Sequence, residues 1–125
     1  MGTDRNRAGT GSRLFAELDL REALAAVGER EGVVWALEES GDLNANLVRF
    51  DAGGGVKEHV NDEVDVMFVG VAGSGIVRVD GEEHALSAGT LVFAPKGARR
   101  STGASSDGFA YLTVHRRRGP LRIDG

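Results

Sequence analysis

The chain has 125 residues, no cysteine, 19 glycines, two prolines and a formal net charge of −4. That length suits one domain with a real hydrophobic core, and the missing cysteine excludes disulfides, thiolate metal sites and a cysteine nucleophile. No apolar run approaches the roughly 20 residues that cross a bilayer, and the polar segment 1–13 lacks the apolar stretch of a secretory signal. The expectation is a cytoplasmic protein with no membrane partner. Charge is uneven: residues 99–125 carry six arginines against two aspartates in an otherwise acidic chain. An acidic body with one local arginine excess argues against a general nucleic-acid binder, so the arginines need a more specific explanation.

Met1 to Arg13 mixes Gly, Thr, Ser, Asn and charge and reads as a polar tail. From Leu14 to Val27 the spacing of Leu20, Ala23, Leu24 and Val27 predicts a helix, with Asp19 as a capping residue and Gly28 as the stop. After it the pattern turns to strands. Val33 to Leu37 is β-branched and aromatic, and Asn44 to Phe50 follows the turn signal Ser40-Gly41-Asp42. Asp51 to Gly55 is a further turn. Val64 to Val71 is apolar on both faces, as a central strand is. Gly73-Ser74-Gly75 is read as a turn leading into Ile76 to Val79, and Asp80-Gly81 as a two-residue hairpin turn. His84 to Leu86, Thr90 to Ala94 and Phe109 to His115 supply the later strands. Short strands between glycine turns predict an all-β sandwich or barrel.

Two blocks carry a resemblance. The first is Gly55-Val-Lys-Glu-His59-Val-Asn61-Asp-Glu63-Val-Asp65, followed by a strand and by Gly73 and Gly75. The second is Gly89-Thr-Leu-Val-Phe-Ala-Pro95-Lys-Gly97-Ala-Arg-Arg100. In spacing, order and separation they resemble the two motifs of the cupin family. The resemblance implies a double-stranded β-helix, a jelly-roll barrel, over residues 33–118. A short helix and connection (14–32) and the tail 1–13 precede it, and a tail (119–125) follows.

In metal-binding cupins the motifs bring two histidines, a glutamate and a third histidine together inside the barrel. Here only His59 is retained. Asn61, Asp65 and Arg100 stand at the other three positions, and an amide is a weak ligand while a guanidinium is none. The resemblance therefore implies no catalytic metal, and a divalent transition metal on His59 and Asp65, helped by Glu63 or His115, is the alternative. His59 and Asn61, two residues apart, share one strand face, and Asp65 can begin the next strand facing the same interior. Arg100, at its motif position, would approach Asp65 and form an internal ion pair in place of the metal, or else hold an anionic ligand. The expected pocket comprises His59, Asn61, Asp65, Arg100, Met67, Tyr111 and His115.

Other residues are assigned structural roles. His84 is expected to face solvent after the hairpin. Arg116-Arg117-Arg118 is expected to be a solvated or interface segment complementing the acidic body. Trp35, Phe50, Phe68 and Tyr111 are expected to pack in the core. The function implied is a binding module that takes a small polar or anionic molecule in its barrel without catalysis, and that pairs as a homodimer. A metal-dependent oxygenase or isomerase with an altered ligand set is one alternative. An interaction module whose barrel is filled by its own side chains is the other.

Overall fold

The computed structural model describes residues 17–118, so the expected tails 1–13 and 119–125, and residues 14–16, lie outside the described residues. One helix, α1 (Leu20–Val27), opens the described chain. The Asp19 carboxylate accepts from the backbone N–H groups of Arg21 (2.9 Å) and Glu22 (3.1 Å), and Gly28 at φ +62° ends the helix. The cap also corrects the expected start. Asp19 is extended, because its side chain takes the N–H groups that an earlier turn would otherwise leave open, so residues 17–19 are not helical. No residue of α1 is fully buried, and the helix leans on the barrel without filling it.

Seven strands follow: β1 (Gly32–Ala36), β2 (Leu43–Phe50), β3 (Gly55–Val60), β4 (Val66–Val79), β5 (Glu82–Ser87), β6 (Leu91–Ala94) and β7 (Arg99–Arg116). All pair antiparallel. The two long strands, β4 and β7, lie side by side and organise the rest. The first half of β4 pairs with β6 and with the second half of β7, which in turn pairs with β2, and β2 with β1. The second half of β4 pairs with β5 and with the first half of β7, which pairs with β3. The two halves are two sheets packed face to face. Their shared core joins Val48, Val66, Phe68, Val77, Leu86, Val92, Ala94, Phe109 and Tyr111. This is the jelly-roll the pattern predicted.

The sequence reading differs at the corner. Gly73-Ser74-Gly75 is not a turn between strands. It lies inside β4, where the register with β7 jumps between Gly70 and Ala72 and again between Gly73 and Gly75. Bulges bend a strand from one sheet into the other. At Gly75 a Cβ would run into the Phe109 ring, so close approach of the two strands requires glycine there. The bend also changes which parity faces inward. Val66 and Phe68 point into the core before it and Val77 after it, while on β7 the inward set runs from Arg100 and Thr102 to Tyr111 and His115.

The hairpin between β4 and β5 is as read. Val79 pairs with Glu82, leaving Asp80 (φ +51°) and Gly81 (φ +86°) as the two-residue turn. Nothing lies within 4 Å of a Cβ built on Gly81, so a substitution there is opposed by backbone strain alone. Gly81→Val is expected to cost about 1–3 kcal/mol, read as a lower thermal midpoint. An unchanged midpoint would mean that the turn tolerates a β-branched residue at positive φ.

Candidate functional site

Three segments converge at one end of the barrel: the loop 61–65 after β3, the turn 95–98 before β7, and residues 115–118 at the end of β7. The Gly97 N–H donates to the Asn61 carbonyl (2.7 Å), and the Lys96 N–H donates to Asp65 Oδ1 (2.8 Å). Arg116 reaches the Glu63 carbonyl (3.1 Å), and Arg118 Nε lies 3.4 Å from Glu63 Oε1. Together these contacts form the lip of the barrel.

Asn61 is the best-defined polar group beneath that lip. It lies just past β3 instead of on it, and it is 7 % exposed. Its side-chain oxygen accepts from the N–H groups of Glu63 (2.8 Å) and Val64 (3.3 Å). These two bonds fix which end of the amide is oxygen, and they leave Nδ2 buried without a partner. Arg100 sits opposite His59 on one side and Val79 on the other, 6 % exposed, with Nη1 enclosed and unpartnered. Burial, reinforced by the nearby Arg118 guanidinium, pushes its pKa below the ordinary arginine value.

The expected ion pair is not formed. Asp65 is exposed and spends Oδ1 on the Lys96 backbone, and among the described residues no carboxylate lies within ion-pair distance of Arg100. The reason is local: Asp65 precedes β4, where its carboxylate ties two loops together at the rim. His59 is also exposed, and its Nδ1 donates to the Lys57 carbonyl (3.0 Å), which leaves Nε2 as the open ring nitrogen. Met67 is a second correction. It belongs to the outer face of β4, 38 % exposed, beside Phe93 of β6 and Val114 of β7, and does not line the interior. Tyr111 is interior but fully packed, bonded to Thr102 Oγ1 (3.0 Å) and stacked near Phe68 and Phe109. His84 is half-buried beside Glu82. Trp35 and Phe50 are half-buried, whereas Phe68 and Tyr111 are core.

His115 faces inward at the same end, 9 % exposed, with Nδ1 donating to the Arg116 carbonyl (2.8 Å). Burial lowers its pKa, and the Arg118, Arg100 and Arg117 charges lower it further against the raising effect of the Arg116 carbonyl. A histidine whose folded pKa lies below its unfolded value stabilises the fold above the unfolded pKa of about 6.5, and that stability drains as pH falls. Urea unfolding is therefore expected to show stability dropping as pH falls below about 6.5, with a shallower slope in His115→Gln. An identical slope in both proteins would remove His115 as the titrating group.

The depression at this lip measures about 410 Å³ and is lined by His59, Val60, Asn61, Asp62, Glu63 and Arg118. A second depression, about 280 Å³, lies between α1 and the opposite part of the barrel, against Leu24, Phe50 and Phe109. There the Arg49 and Asp51 side chains satisfy each other at 2.7 Å. Of the two unpartnered buried donors among the described residues, Asn61 Nδ2 belongs to a residue lining the lip depression, and Arg100 Nη1 to the register partner of His59, which lines it.

A family model described as a cupin domain matches residues 46–115. The chain belongs to the cupin family. Among solved structures it is similar to KdgF from a Halomonas species, with 26 % identity and a TM-score of 0.61 over 72 % of this chain and 79 % of that one. It is also similar to the TT1209 protein of Thermus thermophilus, with 25 % identity and a TM-score of 0.67 over 82 % and 98 %. A third likeness is to the DMSP lyase DddQ of Ruegeria pomeroyi, at 26 % identity and a TM-score of 0.57, where 67 % of this chain matches 42 % of that one. No curated protein matches the chain.

The donor set of this cupin does not fit a divalent metal. Asn61 offers only its NH₂, Asp65 Oδ1 is taken by a backbone N–H, and a guanidinium stands at the fourth motif position. Among the described residues no three of His, Asp and Glu converge as metal ligands. The Arg116–Arg118 run is tied down, not simply solvated. Arg117 Nε donates to the Ser40 carbonyl (3.0 Å), and its neighbours hold Glu63. The sequence pattern gave no sign of this, because the partners are about 50 to 80 residues away in the chain.

Proposed function

We propose that this cupin binds a small carboxylate-bearing molecule at the lip of its barrel, with Arg100 holding the carboxylate and Asn61 as the second donor. One observation carries the reading: the two buried side-chain atoms without a partner, Arg100 Nη1 and Asn61 Nδ2, are both hydrogen-bond donors. Buried donors are nearly always satisfied, and each orphan costs free energy that an acceptor would recover. An anion supplies acceptor atoms and opposite charge together, and a guanidinium suits the two oxygens of a carboxylate. The depression, lined by Asn61 and by His59, the register partner of Arg100, measures about 410 Å³, the volume of a small-molecule site.

The test is a thermal-shift series with acetate, lactate and benzoate at fixed ionic strength. The parent protein is expected to be stabilised in proportion to ligand concentration, and Arg100→Met to show no shift. Equal shifts in both proteins would overturn the assignment. The close-packed core favours a second reading, an interaction module with a self-filled barrel. That reading expects no shift with any of the three anions.

A further inference from the structure

We infer that Arg118 is a second anion-binding residue of this site, with Glu63 as its internal competitor, so that the site takes a small dicarboxylate in preference to a monocarboxylate. The inference rests on the anion-binding reading above and adds the class of ligand.

Arg118 lines the same depression as His59 and Asn61, and its position does not depend on its own ion pair. Arg116 is anchored on the Glu63 carbonyl and Arg117 on the Ser40 carbonyl, so the two residues before Arg118 bring it to the lip. The ion pair itself is loose. Arg118 Nε and Glu63 Oε1 are 3.4 Å apart, against 2.7 Å for Arg49–Asp51 and 2.6 Å for Arg78–Glu83. Charge-assisted bonds normally close to about 2.7–2.9 Å. Both side chains of the loose pair are about half exposed, at 47 % and 63 %, so water competes with the contact. Arg118 is thus placed firmly but satisfied weakly.

The two guanidiniums stand at different depths, Arg100 enclosed and Arg118 at the rim. They also flank one depression: Arg118 lines it together with His59, and His59 is the register partner of Arg100. One carboxylate accepting from Arg100 Nη1 and Asn61 Nδ2 is used up below. A second acidic group, one or a few carbons away, would meet Arg118 above, in the place the Glu63 carboxylate now occupies. Glu63 neutralises Arg118 when the site is empty and must yield it when a dicarboxylate enters.

The experiment follows the arginine Nε–H signals by NMR while acetate or malonate is added at constant ionic strength. The parent is expected to bind malonate about tenfold more tightly than acetate, the scale of one added charge-assisted contact. Arg118→Ala is expected to weaken malonate far more than acetate and so bring that ratio near one. Glu63→Gln is expected to raise malonate affinity severalfold and to widen the malonate-to-acetate ratio. Equal ratios in the parent and Arg118→Ala, or weaker malonate binding in Glu63→Gln, would overturn the inference while leaving Arg100 as an anion site. Acetate binding undiminished in Arg100→Met, or no binding of either anion to the parent, would overturn the underlying reading as well.

Discussion

Replacing Arg100 with methionine is expected to leave the folded protein at least as stable as the parent, and more stable by about 1–3 kcal/mol where the enclosed guanidinium goes unpaired. The side chain is 6 % exposed and Nη1 has no partner, so the charge is held in the fold against its desolvation cost. Methionine keeps an apolar stem in the same space and removes the charge. Asp65→Ala behaves differently. It loses the bond to the Lys96 N–H at the rim, a cost of about 1–2 kcal/mol for a partly exposed charge-assisted bond. Because no hydrogen bond or ion pair joins the two side chains, the double variant should equal the sum of the singles within about 0.5 kcal/mol. Denaturant unfolding of the four proteins measures this directly. A coupling above about 1 kcal/mol would restore the direct ion pair. A large loss for Arg100→Met would show that the guanidinium stabilises the apo fold. Opposed effects on apo stability and ligand binding are what a functional side chain in a structural setting produces.

Tyr111→Ala is expected to have the largest single effect on stability, about 3–5 kcal/mol. Tyr111 is 1 % exposed at the centre of the core. Its ring lies 4.9 Å from Phe109 and 5.8 Å from Phe68, both tilted by 49°, a geometry that adds to simple area burial. Its hydroxyl meets Thr102 Oγ1 at 3.0 Å, and Thr102 Oγ1 also accepts from the Val56 N–H. That bond spans the two halves of β7 and reaches β3, so one side chain helps to hold both sheets together. Tyr111→Phe keeps the ring and should cost only about 1 kcal/mol. In urea both variants should shift the midpoint at constant slope. A loss below about 1.5 kcal/mol for the alanine variant would mean that the core collapses around the gap far better than close-packed interiors usually do.

How much of this was legible in the chain depends on how local the determining physics is. The Asp19 cap, the Gly28 stop and the Asp80-Gly81 hairpin are settled by a few adjacent residues, and the structure contains each of them. The alternation of short apolar runs with glycine turns, and the spacing of the blocks at Gly55–Asp65 and Gly89–Arg100, carried the β-barrel and the family, because turn geometry and strand burial impose those residues locally. Parity carried less. It placed His59 and Asn61 on one strand face, yet β3 ends at Val60, so Asn61 turns into the barrel end while His59 stays exposed. Gly73-Ser74-Gly75 has the composition of a turn, but the strand it bends is defined only by its pairing with β7.

The sequence by itself determined the set of chemical groups at the lip: one imidazole, one amide, one short carboxylate and one guanidinium at the four motif positions. Only the tertiary structure decided which of them are spent. Asp65 is taken by a backbone N–H 31 residues on, the Asn61 oxygen by the turn that follows it, and Met67 by the outer face, while Arg100 and the Asn61 amide are left enclosed with donors unused. Arg118 enters the site from the far end of the chain through Glu63. Such contacts depend on how two bent strands bring distant loops to one end of a barrel, and no local propensity encodes that convergence.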